Sequence, residues 1–363
     1  MRTETLRKLL PIVAACVMLA LPGLAHAAPP RDFFGVVSED VLAGNAAYRD
    51  ATLAQQASVG VGLIRQTFHW KDIETSRGVY NWAGYDSYMA ATASHGIRVL
   101  PVLFEPPRFR ARASASGRGA YPPTRYSDIG KFGAAVARRY GPNGSFWHEN
   151  PAIPKLPIDA YQIWNEPNLK VYWASGPSPR AYARLLKAAA HGIHAVDSRA
   201  QIVTAGMPDS RLSQPTNVYG YVKALLHAGA AHDFDSLAVN PYAKTRSGLF
   251  GKLGRFRKIL NAGGGRHAHI WITEFGWSDK GPASAFRAGA EGQAGKIRDT
   301  IPALVKARGR LHLRGLVYYA WRDGRPYAPL FKDFWGLHTG LLSLTGGAKP
   351  AFTAFQNTVA SLD

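Results

Sequence analysis

Short apolar runs recur along the chain, and each is followed by a longer segment whose apolar residues are spaced as on a helix. The runs are nearly continuous in apolar residues, as is typical of parallel strands that are buried on both faces. There are eight of them: FFGVV (33–37), VGLIRQ (61–66), IRVLPVLF (97–104), DAYQIW (159–164), QIVTAG (201–206), DSLAVN (235–240), HIWITEF (269–275) and RGLVYYAW (314–321).

The segments between these runs predict eight helices. Some begin at residues that cap helices well, such as Ser127 and Ser178, and two end at glycines, Gly96 and Gly141. The predicted helices are 49–58, 84–94, 127–140, 179–195, 218–228, 251–261, 288–306 and 350–361.

Eight strand–helix units predict an α/β protein whose residues 28–363 form one (β/α)8 TIM barrel. A doubly wound open sheet is the alternative. The barrel is favoured because no G-x-G-x-x-G motif follows the first strand.

The first 27 residues predict a secretory signal peptide. Arg2, Arg7 and Lys8 form a basic head, residues 9–24 are mostly apolar, and Ala25-His26-Ala27 is a cleavage site of small residues. A membrane anchor is disfavoured because prolines and a glycine interrupt an already short run. A lipoprotein signal ending at Cys16 is disfavoured because apolar residues continue beyond it. We therefore expect a secreted protein without stable membrane insertion.

Cysteine content and charge restrict the remaining classes. The only cysteine, Cys16, lies in the predicted signal peptide, so the mature chain would have no disulfide and no cysteine-ligated metal. The net charge is +20, of which residues 1–27 contribute +2, which leaves +18. Such a charge favours acidic partners. The basic residues are scattered, apart from a local concentration at 108–118, so a nucleic-acid function is disfavoured.

Polar and aromatic residues collect where the predicted strands end. In a barrel these carboxyl ends surround one mouth, so the side chains are expected to converge there. The residues are Arg65 with His69 and Trp70, Glu105, Asn165 with Glu166, Asn240 with Tyr242, Glu274, and Trp321 with Asp323.

Two of these residues, Glu166 and Glu274, follow the fourth and seventh strands and would face each other. Glycoside hydrolysis requires such a pair: a carboxylic acid that protonates the leaving oxygen and a carboxylate beside the oxocarbenium-like centre. A short separation gives retention of the anomeric configuration, and a longer one gives inversion. The pair predicts a glycosidase but not its stereochemistry.

IWNEPN (163–168), followed by ITEFGW (272–277), resembles the signature of clan A glycoside hydrolases, which are (β/α)8 barrels. RQTFHWKDIETSRGVYNWAGYD (65–86) is similar to the second-strand pattern of this clan, so the resemblance covers roughly 33–355. It is strongest to family 39 and to bacterial enzymes of the cellulase family near family 5. The resemblance implies a retaining hydrolase that cleaves β-glycosidic bonds through a covalent glycosyl-enzyme intermediate.

The resemblance also implies individual roles. Glu166 becomes the general acid/base and Glu274 the nucleophile. Asn165 would bind the sugar 2-hydroxyl, Arg65 and Tyr242 would position Glu274, and Trp321 would stack on a sugar. Asn240 departs from the clan pattern, which has a histidine two residues before the tyrosine. It therefore predicts a differently tuned network around the nucleophile.

Two further residues, Trp70 and Glu105, are candidates for substrate binding. Glu105 would bind a sugar hydroxyl or pair with Arg108. No metal or other cofactor is expected, because no tight histidine pair with a nearby carboxylate occurs.

The predicted partner is an oligo- or polysaccharide, not nucleic acid, and the predicted protein is a monomer. A non-catalytic barrel that binds carbohydrate or an acidic polymer is the alternative function; it predicts the loss of one glutamate, and both are present. The sugar, the linkage, exo or endo action and transglycosylation stay open, since the loops at the mouth decide them.

Overall fold

The structure is a computed structural model that describes residues 28–111, 119–210, 217–326 and 332–362. The predicted signal peptide, residues 1–27, and most of the arginine-rich stretch 108–118 lie outside the described residues. The predicted signal peptide therefore stays a prediction.

Eight parallel strands close into a barrel, which confirms the predicted fold class. Each predicted run contains one strand, and the last strand pairs with the first, so the barrel has no open edge. The barrel strands are β1 (Phe34–Val37), β2 (Leu63–His69), β5 (Arg98–Phe104), β6 (Ala160–Ile163), β7 (Gln201–Val203), β9 (Ser236–Asn240), β10 (His269–Phe275) and β11 (Leu313–Tyr318).

Eight helices surround the barrel at the predicted positions, and several begin where a side chain caps the first turn. Ser178, Asn217 and Thr245 each accept a hydrogen bond from a backbone N–H of the helix that follows. The helices are α2 (Ala46–Ser58), α4 (Ala83–Ser94), α5 (Ser127–Tyr140), α7 (Pro179–His194), α8 (Val218–His227), α9 (Arg246–Ala262), α10 (Ala290–Leu311) and α11 (Pro350–Ala360).

Several short helices and strands lie outside the eight strand–helix units. Most lie at the carboxyl ends of the strands, whereas α6 lies at the opposite end, as expected for the connection 141–158. The short elements are α1 (Glu39–Ala43), α3 (Trp70–Ile73), α6 (Ser145–Glu149), the hairpin β3 (Glu74–Ser76) and β4 (Val79–Tyr80), β8 (Met207–Pro208), and 3-10 helices at Arg31–Phe33, Ala230–His232 and Trp335–His338.

The barrel interior is filled by side chains that form their own cluster, separate from the layer between strands and helices. Each strand contributes one residue to this cluster: Val37, Leu63, Leu100, Ala160, Val203, Ala238, Trp271 and Val317. Trp271 is the largest of them, and two alanines keep the total volume small enough to close the barrel. The filled interior makes the barrel a rigid support for side chains at its mouth. Within the described residues, no helix has the length and apolar composition needed to cross a bilayer.

Helices α5 and α7 cross closely at two glycines, Gly130 and Gly192. A Cβ atom added at Gly192 would lie 2.2 Å from the carbonyl oxygen of Gly130, which belongs to rigid backbone. Because neither helix can yield easily, the close crossing requires glycine at this position.

We therefore expect Gly192→Ala to lower the free energy of unfolding by about 1–3 kcal/mol, as overpacking does. The matched control is Gly251→Ala in α9, where an added Cβ meets nothing within 4 Å. Alanine favours a helix over glycine, so this control should be neutral or stabilise by up to about 1 kcal/mol. Urea denaturation of both variants measures the difference; equal effects would contradict the proposed crossing.

Candidate active site

A cavity of about 1420 Å³ opens at the carboxyl ends of the barrel strands. Loops that follow β1, β2, β5, β6 and β11 form its walls. Seven residues expected at the mouth line it: Arg65, His69, Glu105, Asn165, Glu166, Glu274 and Asp323. Two more, Asn240 and Tyr242, contact the two glutamates directly.

Glu274, near the end of β10, is held from two sides. Arg65 Nη1 on β2 donates a hydrogen bond to Glu274 Oε1 at 2.9 Å, and the Tyr242 hydroxyl donates to Oε2 at 2.8 Å. The salt bridge with Arg65 is almost fully buried. Burial and the charge of Glu274 raise the pKa of Tyr242 well above its usual value, so its hydroxyl keeps its proton and remains a donor. The predicted positioning roles of Arg65 and Tyr242 agree with this geometry.

Glu166 follows β6 in an uncommon backbone conformation. Its φ is 39°, and that of Trp164 two residues earlier is 76°, both in the left-handed region. The Glu166 N–H donates to the carbonyl oxygen of Gly206 at 3.2 Å, which fixes the turn. Such strain at the end of a strand is typical of functional sites. Here it places the Glu166 carboxyl beside the barrel axis.

Asn240, at the end of β9, contacts the Glu166 side chain. Its Nδ2 donates to Glu166 Oε1 at 2.8 Å, and its Oδ1 accepts from the Thr273 hydroxyl at 2.8 Å. Thr273 therefore fixes the orientation of the amide. The sequence suggested that Asn240 would tune the network around Glu274; its direct partner is instead Glu166. A Cβ atom at Gly206 would lie 2.4 Å from Asn240 Oδ1, so glycine leaves room for this contact.

The environment of Glu166 raises its pKa to about 8. Burial is the main cause, and the nearby charge of Glu274 adds to it. The hydrogen bond from Asn240 and the charge of Arg65 oppose the shift without cancelling it. At neutral pH the Glu166 carboxyl therefore holds a proton that it can donate.

Arg65 also links the two glutamates through the fourth strand. Its Nη2 donates to Asn165 Oδ1 at 2.9 Å, and its Nε donates to Gln162 Oε1 at 2.6 Å. Because Asn165 Oδ1 accepts from Arg65, Asn165 Nδ2 is the atom left to donate to a ligand. Sequence reasoning missed Gln162, although a glutamine inside the apolar run DAYQIW is a signal that could have indicated it.

The structure corrects the prediction for Trp321. Its indole is fully buried and packs edge-on against Phe352 in α11 with ring centroids 5.8 Å apart. Strand β11 ends at Tyr318 and not at 321, so the inward–outward alternation of the strand does not continue to Trp321. Tyr319 and Ala320 line the cavity instead. The aromatic side chain that lines the cavity at the end of the eighth strand is therefore that of Tyr319, which directly follows β11 and which the sequence analysis missed.

Trp70 does not line the cavity either. It is fully buried, stacks on Phe132 at 5.0 Å, and donates from Nε1 to Glu74 Oε2 at 2.6 Å. Glu74 is also held by Arg110, in a salt bridge that is itself buried. The predicted substrate contact of Trp70 is therefore corrected: Trp70 packs in the core and holds Glu74, whose salt bridge with Arg110 joins the loop after β2 to the loop after β5.

Glu105 lines the cavity, but its partners differ from the predicted Arg108. It pairs with Lys71 at 2.6 Å and with His69 Nδ1 at 2.9 Å. Burial would raise the pKa of Glu105, yet these two partners lower it to about 2. Glu105 is therefore a fixed negative charge in the wall of the cavity. Glu39, which the sequence analysis did not single out, also lines the cavity and accepts a hydrogen bond from the Thr67 N–H at 3.1 Å.

The arrangement supplies the chemical groups that glycosyl transfer to water requires. A protonated carboxyl and a carboxylate held by two donors lie in one cavity, and these two glutamates together with the residues that hold them come from β2, β6, β9 and β10. Among the described residues, no group of three or more histidines and acidic side chains could hold a metal ion.

Comparisons with known proteins give a fold-level likeness. No protein-family profile and no curated protein sequence matches the chain. Many solved structures do match. A family 39 glycoside hydrolase from Bacteroides cellulosilyticus WH2 superposes with a TM-score of 0.64 and 18% identity, over 92% of this chain and 64% of that chain.

Two further solved structures are similar. A monomeric β-xylosidase from Caulobacter crescentus CB15 gives a TM-score of 0.67 and 18% identity, over 91% of this chain and 69% of that chain. A GH39 enzyme from Xanthomonas axonopodis pv. citri gives 0.68 and 20%, over 92% and 68%. These values show a shared fold and confirm the family 39 resemblance at that level. The chain spans less than two thirds of the length of the Bacteroides enzyme.

The geometry predicts how Glu166 titrates. We expect one carboxyl with a pKa near 8 in the folded protein, measured by NMR with glutamate carbon-13 labelled at the carboxyl. Glu274→Gln should lower that pKa, because it removes the negative charge that disfavours ionised Glu166. Glu291→Gln, a change at an exposed residue of α10, is the control and should leave the titration unchanged. An unchanged titration in Glu274→Gln would contradict the coupling of the two carboxyls.

Proposed function

We propose that this protein is a retaining glycoside hydrolase of the clan A type that cleaves a β-glycosidic bond in an oligo- or polysaccharide. One observation carries the proposal: Glu166, with a raised pKa, shares a cavity with Glu274, which is held by Arg65 and Tyr242. These are the two states that an acid and a nucleophile need. The fold shared with family 39 enzymes supports it.

In the first step Glu274 attacks the anomeric carbon while Glu166 donates its proton to the leaving oxygen. The glycosidic bond breaks as the bond between the sugar and the Glu274 carboxylate forms, so the leaving group departs as a neutral alcohol. Arg65 and Tyr242 keep the carboxylate aimed at the sugar, because they hold one oxygen each.

In the second step water replaces Glu274 on the same face that the leaving group occupied. Glu166, now ionised, takes a proton from the water, and the restored acid matches the starting state. Two inversions give net retention. Asn165 contributes in both steps, since its Nδ2 is free to donate to the sugar 2-hydroxyl, a contact that strengthens in the transition state.

The alternative function, a barrel that binds carbohydrate or an acidic polymer without cleaving it, would not need a polarised pair of carboxyls. Burying Glu166 beside Glu274 destabilises the folded protein, since both groups lose water and repel each other. Retention of this unfavourable pair favours the enzyme.

The sugar that the protein cleaves and its secretion from the cell are also proposed. The β-xylosidase among the similar structures makes a pentoside a reasonable first substrate to test. Residues 1–27 support secretion, and no observation demands more than a monomer.

Substitution of each glutamate distinguishes the two roles. Glu166→Ala should lower kcat/KM on natural glycosides by about 10²–10⁴-fold, as expected for loss of an acid/base. Azide should restore turnover, giving a glycosyl azide of retained configuration for Glu166→Ala and of inverted configuration for Glu274→Ala. A panel of aryl glycosides and plant and bacterial polysaccharides supplies the substrates, and NMR gives the configuration.

The control for this test is Glu149→Ala, which removes an exposed carboxylate on α6 far from the cavity and should leave kcat/KM unchanged. Full activity of both catalytic variants on any hydrolysed substrate would overturn the assignment.

Secretion is tested by expressing residues 1–363 in a bacterium and measuring the intact mass of the exported product. We expect a chain that begins at Ala28, because the cleavage site ends at Ala27. Cys16→Ala should be exported equally well, since lipidation is not required. A product that retains residues 1–27, or one that carries lipid on Cys16, would contradict the proposal.

A further inference from the structure

The end of the barrel opposite the cavity is rich in histidine. Of the eleven described histidines, His69 and His338 lie on the cavity side, and the other nine lie where helices lead back to strands. These nine are His95, His148, His191, His194, His227, His232, His267, His269 and His312. Eight of the nine are exposed, all but His95.

Seven of these histidines lie on four neighbouring turns, which we call the basic end. It comprises residues 191–201, 227–236, 258–269 and 306–314, which lead into β7, β9, β10 and β11. These strands are consecutive in the barrel, so the four turns form one continuous arc. The arc also contains seven lysines and arginines against three aspartates, a net charge of +4 that would reach +11 with all seven imidazoles protonated.

The acidic groups near these imidazoles are few and already engaged. Asp197 accepts from the Arg199 N–H, and Asp235 accepts from the Ile202 N–H at 2.7 Å. Asp233 lies close to Lys187 and His232. The neighbouring turns contribute Asp32, paired with Arg314 at 2.9 Å, and Asp159, paired with Arg98 at 3.1 Å.

The cationic groups that face the arc include Arg257, which is buried in α9 and donates to the carbonyl of Ala268 at 2.6 Å. His269 lies 6.5 Å from His312 between ring centroids, and burial together with this neighbour lowers the pKa of His269. His269 therefore gains charge at lower pH than an isolated imidazole does.

Helix capping explains only part of the pattern. His191, His194 and His227 lie in the last turns of α7 and α8, where a cation favours the helix dipole. His312 is the C-cap residue of α10, whereas His232, His267 and His269 lie away from the ends of the α-helices. Of the seven, His194 is bonded to a main-chain carbonyl, that of Ala200 at 3.0 Å. The remaining imidazoles are therefore available to an external partner.

The charge is polarised between the two ends of the molecule. Among the described residues, the cavity is lined by seven aspartates and glutamates, of which Glu166 keeps its proton, against five lysines and arginines, although the chain as a whole has a net charge of +20. A polyanion is therefore attracted to the basic end more than to the cavity, and it would leave the mouth facing outward.

The composition of the basic end distinguishes between polyanions. It has no exposed phenylalanine, tyrosine or tryptophan, since Phe234 is buried, so it lacks the large aromatic platforms on which nucleic-acid bases stack best. None of its residues is among the exposed large apolar side chains, so it has no apolar group to insert into a lipid bilayer. A polymer that presents only charge and hydroxyl groups fits better.

We propose that the basic end binds an anionic polysaccharide of the polyuronate class, and binds it more tightly in mildly acidic medium. Imidazoles gain charge as the pH falls through about 6.5, and each added charge strengthens attraction to a polyelectrolyte. The surface goes beyond the proposed hydrolase function: it would hold the protein on an acidic matrix while the cavity remains free.

The test measures binding of the full mature chain to immobilised polygalacturonate at pH 5.5 and 7.5, at low and moderate NaCl. We expect an affinity at least about tenfold higher at pH 5.5, and a steep loss with salt. The variant His232→Gln/Arg266→Gln/His267→Gln should lose about tenfold or more at pH 5.5 and most of its pH dependence. Its three positions are exposed, so folding should be retained, which circular dichroism checks.

The matched control, Arg125→Gln/Lys131→Gln/Arg138→Gln, removes three exposed charges on α5 and the turn before it. It should bind within about twofold of the native chain, because these charges lie outside the arc. An equal loss in both variants would show a response to net charge alone and would overturn the proposal. So would tighter binding of single-stranded DNA or phosphatidylglycerol vesicles than of polygalacturonate under the same conditions.

Glu166→Ala should bind polygalacturonate like the native chain, which separates this surface from the proposed catalytic function. If Glu166→Ala loses binding, the polymer occupies the cavity and the proposal is wrong. If it retains binding while His232→Gln/Arg266→Gln/His267→Gln loses it, the binding belongs to the basic end, whether or not hydrolysis is found.

Discussion

The buried guanidinium of Arg65 is the contact on which the site depends. It reaches from the second barrel strand to Gln162 and Asn165 near the fourth and to Glu274 on the seventh. A buried cation is tolerated only when acceptors surround it, so each of these partners is needed to keep the others in place. Because the partners come from different strands, the interaction exists only in the closed barrel.

The second constraint is the proximity of two carboxyls away from water. Glu274 receives two donors, whereas Glu166 receives one, from Asn240, and retains its proton instead. This asymmetry of donors gives two chemically identical side chains different protonation states. It is accompanied by backbone strain at Glu166, which costs stability. The filled barrel interior beneath the site supplies the rigidity that holds both groups in place.

The two ends of the barrel have become chemically different surfaces. At the carboxyl ends of the strands, long loops build a cavity whose wall contains acidic side chains such as Glu39 and Glu105, and the pKa of Glu105 is lowered to about 2. At the other end, short turns expose imidazole and guanidinium groups with few carboxylates between them. The topology separates these surfaces because every helix returns the chain to the same end. A positively charged protein can thereby keep an acidic cavity.

The sequence by itself determined the eight strand–helix units, the order of the two glutamates at the barrel mouth and their neighbours Asn165 and Arg65. These features are local: apolar runs report burial, and residues that directly follow a strand must lie at the mouth of a barrel. Only the tertiary structure decided that Tyr319 and not Trp321 lines the cavity, since this depends on where β11 ends. It also decided that Asn240 contacts Glu166, and that Trp70 is an anchor in the core. Contacts across a barrel depend on strand register and closure, which bring together residues that are distant in the chain.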